Sequence, residues 1–162
     1  MEKLWAPWRY KYIKKIASKN QGICLFCKIV SENNDEKNLI VYRGKKAYIM
    51  LNRYPYNNGH LMVIPYNHFS EINVLSDEEM LEMMKLLALS VKILKDKFSS
   101  DGFNIGINLG KIAGAGIDHI HIHIVPRWNG DTNFMPVLGD TKLISQSLEE
   151  SWKILKNEFE KI

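Results

Sequence analysis

Five histidines occur among 162 residues, and three of them alternate with isoleucine in the stretch His119-Ile120-His121-Ile122-His123. In an extended strand, alternate side chains leave on opposite faces. Ile120, Ile122 and Ile124 then share a face that suits a core. His119, His121 and His123 share the other, about 6.6–6.8 Å apart along the chain. A row of imidazoles is a costly way to fill space, because each buried ring needs hydrogen-bond partners. The row therefore points to chemistry: proton transfer, nucleophilic attack or metal ligation. A metal cluster alone and a merely exposed polar face are the alternatives. A second candidate is Cys24-Leu25-Phe26-Cys27, one Cys-x2-Cys pair. Two thiolates are half of a four-ligand zinc site, which histidines can complete. No βαβ pattern surrounds the pair, which disfavours a thioredoxin-like redox role. A third is the small-residue run Gly110 to Gly116. By itself it reads as a flexible loop; beside the histidine row, its backbone N–H groups at Gly114, Ala115 and Gly116 can approach a phosphate closely.

The elements that must position these groups can be read from pattern. Leu39–Tyr42, Ala47–Leu51 and His60–Ile64 are short β-forming runs, the last two separated by a turn at Asn57-Asn58-Gly59. Ser31–Lys37 is polar and reads as a loop. Ser76 and Glu79 form a capping box ahead of Met80, Met83, Met84, Leu87, Val91, Leu94 and Phe98 at helical spacing. That predicts a long helix ending near Ser99–Gly102, with its methionine-rich face in the core. Phe103–Leu109 reads as a strand. The histidine strand is expected over His119–Val125, stopping at Pro126. A last helix is expected over Lys142–Glu160. The simplest assembly is α+β: an antiparallel meander with a long central helix and a C-terminal helix packed on it.

Bulk properties fit one domain over 1–162, with 1–22 an N-terminal extension and 127–162 a C-terminal extension and helix. Hydrophobic residues are 46% and charged residues 25%, enough apolar content for a core without disulfides. The formal charge of +4 suits an anionic ligand such as a polyphosphate, although a soluble lysine-rich surface explains it at least as well. No Lys/Arg block with interleaved aromatics argues for nucleic acid. The N-terminal MEKLWAPWRYKYIKKI lacks the apolar core of a secretory signal, and no run approaches the ~20 residues of a membrane span. A cytoplasmic location is expected, where the cysteines stay reduced.

HIHIHIV resembles the signature of the histidine triad (HIT) family of nucleotide hydrolases and transferases. Leu51-Asn52, Gly59-His60-Leu61, Val63-Ile64-Pro65, Asn108 and Ala113-Gly114 fall in the family's order. The resemblance implies that His121 is the nucleophile, with Nδ1–H given to the His119 carbonyl and Nε2 attacking an α-phosphorus. It implies phosphate contact and proton carriage by His123, support from His60, ribose contact by Asn52 and amide contacts from Asn108. In relatives bearing the cysteine pair, the partners correspond to His68 and His119, which implies a structural zinc site of Cys24, Cys27, His68 and His119. Many relatives carry Ser or Thr where this chain has Gly116, so a backbone N–H or a water must serve the leaving group. The flanks Leu4-Trp5-Ala6-Pro7-Trp8-Arg9 and Val125-Pro126-Arg127-Trp128 resemble the diadenosine tetraphosphate phosphorylase-like subgroup. On that basis Arg127 is expected at a distal phosphate and Trp128 on a base or at the leaving-group side. Trp5 and Trp8 are read as interface or core packing. The implied activity is cleavage of dinucleoside polyphosphates through a nucleotidyl-histidine, passed to phosphate or water, in a homodimer with joined sheets. An adenosine phosphoramidase and a nucleotide-binding regulatory module are the other readings. No organic cofactor is implied.

Overall fold

The computed structural model of the chain describes residues 24–132, 138 and 144–162. The Trp5–Trp8 flank and Asn133-Phe134 lie outside them. Helix α1 (Leu25–Ser31) and the one-turn α2 (Asp35–Asn38) precede three antiparallel strands, β1 (Ile40–Arg43), β2 (Ala47–Leu51) and β3 (Leu61–Pro65). Helix α3 (Asp77–Phe98), β4 (Gly102–Gly106), β5 (Ile122–Arg127) and α4 (Leu148–Phe159) follow. The strands form one sheet in the order β1-β2-β3-β5-β4, every neighbouring pair antiparallel. The α+β architecture with a long central helix and a C-terminal helix is the one the pattern predicts, but the sheet is not the expected simple meander, because β5 enters between β3 and β4.

Period-two alternation divides the sheet cleanly. One face carries Ile49, Leu51, Leu61, Val63, Ile120, Ile122 and Ile124 into the main core, beneath Met83, Leu86, Leu87, Ile93 and Leu94 of α3 and Leu155 and Phe159 of α4. The other carries Tyr48, Met50, Met62 and Ile64, which pack with Phe26 of α1. Met50 opposes Met62, and Met62 opposes His123, so the histidine row shares this second face. Tyr48 donates its buried hydroxyl to the Phe26 carbonyl (3.3 Å) and ties α1 to the sheet.

Several boundaries differ from the pattern, each for a local reason. Within Ser31–Lys37, α2 begins at Asp35, because the Asn34 side chain accepts from Lys37 N–H and two acidic residues fill the first turn. The expected capping box forms at Ser76/Glu79, and a second, at Ser147/Glu150, starts the last helix at Leu148 and not at Lys142. Met80 and Met84 of α3 are 38% and 56% exposed and leave the core to Met83, correcting the expected methionine face. The fourth strand stops at Gly106, short of Leu109. The histidine segment joins the sheet only from Ile122; before that, Ile120 N–H bonds to the Phe69 carbonyl (2.6 Å), beyond the end of β3. The strand also passes through Pro126 to Arg127. Pro126 faces the β3 side, where β3 has not yet begun and the Asn57 side chain meets its carbonyl (3.0 Å). No ladder bond is lost there. The turn between β2 and β3 uses Gly59 at φ +69°, with Leu94 and Phe98 packed where a side chain would go.

Candidate active site and metal centre

A cavity of about 680 Å³ opens on the second face of the sheet. That is the size of a small-molecule site. His121, His123, Asn52, Asn108, Gly114 and Gly116 all line it. His60 lies behind them, fully buried at the entrance to β3.

The proton on each ring is settled by the partners that cannot change role. His121 Nδ1 lies 2.7 Å from the His119 carbonyl, which only accepts, so Nδ1 carries the proton and Nε2 a lone pair. Burial pulls the His121 pKa down, against the opposing effect of that carbonyl, and favours the neutral ring. His123 is settled from the other direction. Tyr56 N–H, an obligate donor, lies 3.1 Å from His60 Nδ1, so that nitrogen accepts. Burial, with the two neighbouring imidazoles, depresses the His60 pKa to about 3, so the ring is neutral and its proton sits on Nε2. Nε2–H then donates to His123 Nδ1 at 3.0 Å, and His123 carries its own proton on Nε2. Two rings 4.6 Å apart thus hold opposite tautomers: His121 has a lone pair on Nε2 and His123 a proton. Asn52 stands at the same junction, its Oδ1 accepting from Tyr54 N–H (3.0 Å) and its Nδ2 3.5 Å from His60 Nδ1.

His119 turns the opposite way. Its Nε2–H donates to the Pro65 carbonyl (3.0 Å), leaving the Nδ1 lone pair toward the cysteines. Burial lowers its pKa to about 4, which keeps it neutral and able to ligate. Nδ1 lies 3.4 Å from Cys24 Sγ and 3.6 Å from Cys27 Sγ, and His68 Nδ1 lies 3.6 Å from Cys27 Sγ. All four ligand atoms fall within 4.8 Å of one another, a set that can hold a metal ion. Tetrahedral zinc with ordinary bond lengths separates S and N by about 3.6 Å. The donor set fits in both chemistry and spacing.

Four expected residues are placed or engaged differently. Arg127 and Trp128 do not line the cavity. Arg127 Nε and Nη2 bind the Asp131 carboxylate (2.6 and 2.7 Å), and Nη1 binds Asn104 (2.7 Å), so the guanidinium is spent on the loop after β5 and on β4. The arginine holds the Asp131 carboxyl well below the usual carboxylate range. Trp128 gives Nε1–H to the Phe98 carbonyl (2.9 Å) and closes the end of α3. Ala115 spends its N–H on the Gly110 carbonyl and Gly114 on that of Lys111, so of the three expected amides only Gly116 is not consumed by that turn.

The HIT domain family model matches residues 33–130, a span that holds the triad, His60 and His68. The chain belongs to the histidine triad family. An AP-4-A phosphorylase of Mycobacterium tuberculosis is 38% identical over 98% of this HIT chain and 85% of its own. An adenosine 5'-monophosphoramidase of Saccharomyces cerevisiae is 32% identical over 64% of this chain and 62% of its own. A Zn-bound histidine triad family protein of Mycobacterium smegmatis superposes with a TM-score of 0.70 at 29% identity, covering 85% of this chain and 94% of that one.

Sequence pattern missed the apolar wall of this HIT cavity. Leu25, Phe26 and Ile29 come from α1, and Met50 and Met62 from the sheet. Phe26 meets the rings of both His119 and His121 edge-on (5.6 and 5.1 Å). The signal for Met50 and Met62 was present, since each shares strand parity with Asn52 or His60. Helix α1 is only seven residues long and its N-cap, Cys24, makes no side-chain cap, so it left no comparable signal.

Proposed function

We propose that this HIT protein cleaves dinucleoside polyphosphates at an α-phosphate through a nucleotidyl-His121 intermediate and passes the nucleotidyl group to phosphate. The observation that carries this reading is the pair of opposite tautomers on the cavity wall. His121 Nε2 attacks phosphorus, forming the N–P bond while the bond to the leaving polyphosphate oxygen breaks. His123 Nε2–H faces the same group as a donor and protonates the departing oxygen. The Gly116 N–H serves the oxygens for which a side-chain hydroxyl is lacking. In the second half, phosphate attacks the nucleotidyl group and frees His121. Asn52 takes the ribose hydroxyls, and Asn108 contributes amide contacts to the α-phosphate.

Cys24, Cys27, His68 and His119 would hold a structural zinc ion, whose contribution is to fix α1 against the histidine segment. A homodimer with joined sheets accompanies this reading, because β4 ends the sheet and Ile105 on it is 48% exposed. Among the described residues no helix is long and apolar enough to cross a membrane. The proposed site of action is the cytoplasm.

Incubation with diadenosine tetraphosphate, with and without inorganic phosphate, tests the proposal. ATP with ADP only in the presence of phosphate supports phosphorolysis; ATP with AMP in water moves the acceptor to water. The yeast relative supplies the second reading, phosphoramidase action with the same nucleophile. Cleavage of adenosine phosphoramidate with no cleavage of the tetraphosphate would establish it in place of the first.

A further inference from the structure

The apolar end of the cavity contains a buried amide that the reaction does not use. Asn38 ends α2, is 5% exposed and borders the cavity. Its Nδ2 donates to the Ile29 carbonyl and to the Glu32 carboxylate, both at 3.1 Å. Both partners only accept; Asn38 itself, with nearby lysines, holds the Glu32 carboxyl below its usual range. The orientation of the amide therefore follows from chemistry, and both of its protons are in use. Oδ1 is left on the other side. Among the described residues no donor meets it, yet it is not sealed from solvent inside protein. The small part of Asn38 that remains accessible borders the cavity.

The surroundings suit the base of a nucleotide. Phe26 stands beside His121, and Ile29, whose carbonyl fixes Asn38, lies one helical turn, about 4.5 Å, further along α1. Leu25, Met50 and Met62 complete apolar walls for a flat ring. Asn38 and His121 both line the cavity that these walls enclose, so a ring seated there with its phosphate at His121 can present an edge to Asn38.

We propose that Asn38 reads the base: its Oδ1 accepts a hydrogen bond from an exocyclic amine, so the cavity takes a 6-aminopurine in preference to a 6-oxopurine. The proposal rests on the nucleotide reading of the cavity and adds its base specificity. A 6-oxo group would set two acceptors against each other and leave Oδ1 buried without a donor, whereas the 6-amino group satisfies it.

Calorimetric titration of the full chain with AMP, IMP and purine riboside 5'-monophosphate tests this. AMP is expected to bind about tenfold tighter than IMP, and the unsubstituted purine to lose most of that advantage. Asn38→Ala, checked by thermal melting, should bring AMP and IMP within about twofold of each other. The nucleotide series on the unaltered chain keeps the test decisive where that variant does not fold. AMP and IMP binding equally to a chain that cleaves diadenosine tetraphosphate would overturn the role of Asn38 alone. So would a folded Asn38→Ala that keeps the preference. Failure to bind any of the three nucleotides, together with failure to cleave the tetraphosphate, would overturn the nucleotide reading and this proposal with it.

Discussion

The two ends of the histidine segment use one device to opposite effect. At the His119 end, the Pro65 carbonyl takes the proton of Nε2 and turns a lone pair toward two thiols. At the His123 end, the Tyr56 amide donates into His60, which donates into His123, so a proton is delivered to the cavity side. Both ends carry the same residue type on the same sheet face. The difference lies in the backbone group that terminates each chain of hydrogen bonds. A terminal carbonyl leaves a lone pair on the far ring nitrogen, as it also does for His121. A terminal N–H leaves a proton there.

Removing the ring between the two ends should have the largest effect. His121→Ala is expected to lower turnover by at least about 10³-fold while nucleotide binding stays within about threefold. Single-turnover kinetics and calorimetry check both halves; a variant that kept near-normal rate would remove His121 as nucleophile. Added imidazole should restore part of the activity of His121→Gly.

Breaking the His123 end comes next. His60→Leu removes the donor on His123 Nδ1, and kcat is expected to fall about 10²-fold with KM little changed. The same variant tests the proton bookkeeping. His60 titrates near 3 in the fold against 6.5 in a free chain. Below pH 6.5 the unfolded chain takes up a proton that the fold refuses, so stability falls as pH drops from 6.5 toward 3 and is unaffected by this group above 6.5. One proton corresponds to at most about 1.4 kcal/mol per pH unit. Denaturant unfolding between pH 6 and pH 4 should show a slope shallower by up to that amount in His60→Leu. Equal slopes would show that His60 is not the buried neutral ring described.

Breaking the His119 end should act mainly on stability. Cys27→Ser is expected to abolish binding of about one zinc per chain, to lower Tm by several degrees and to reduce kcat/KM about tenfold, through the carbonyl that orients His121. Elemental analysis by mass spectrometry and a melt with and without chelator check it; a chelator that leaves the wild-type melt unmoved would remove the structural metal. The smallest effect belongs to a cation beyond both ends. Arg127→Ala should cost about 1 kcal/mol of stability, limited by the partial exposure of its ion pair with Asp131. Its kcat/KM should change less than twofold, and a tenfold rise in KM would return Arg127 to the phosphates.

Sequence revealed this site wherever a period or a cap encodes position. The parity of His119, His121 and His123 places them on one face even where the ladder has not begun. The Ser76/Glu79 box fixes the start of the helix that covers the opposite face. Pattern was weaker where a side chain's partner decides its job. Arg127 has its acid four residues on, Trp128 meets the end of α3, and Ala115 spends its amide inside its own turn. Asn38 falls between the polar run Ser31–Lys37, which reads as loop, and the first β-forming run, so neither pattern covers it. Its importance comes from a carbonyl of α1, nine residues earlier.

The chain terminators described above are also unusually sheltered from heritable change. The carbonyls of Pro65 and His119 belong to the main chain, and no codon change can delete them. The N–H of Tyr56 is lost only if a proline arises there. Substitutions around the pocket that spare His60 can reshape what enters it, while the assignment of lone pair and proton among its imidazoles passes unaltered from one variant to the next.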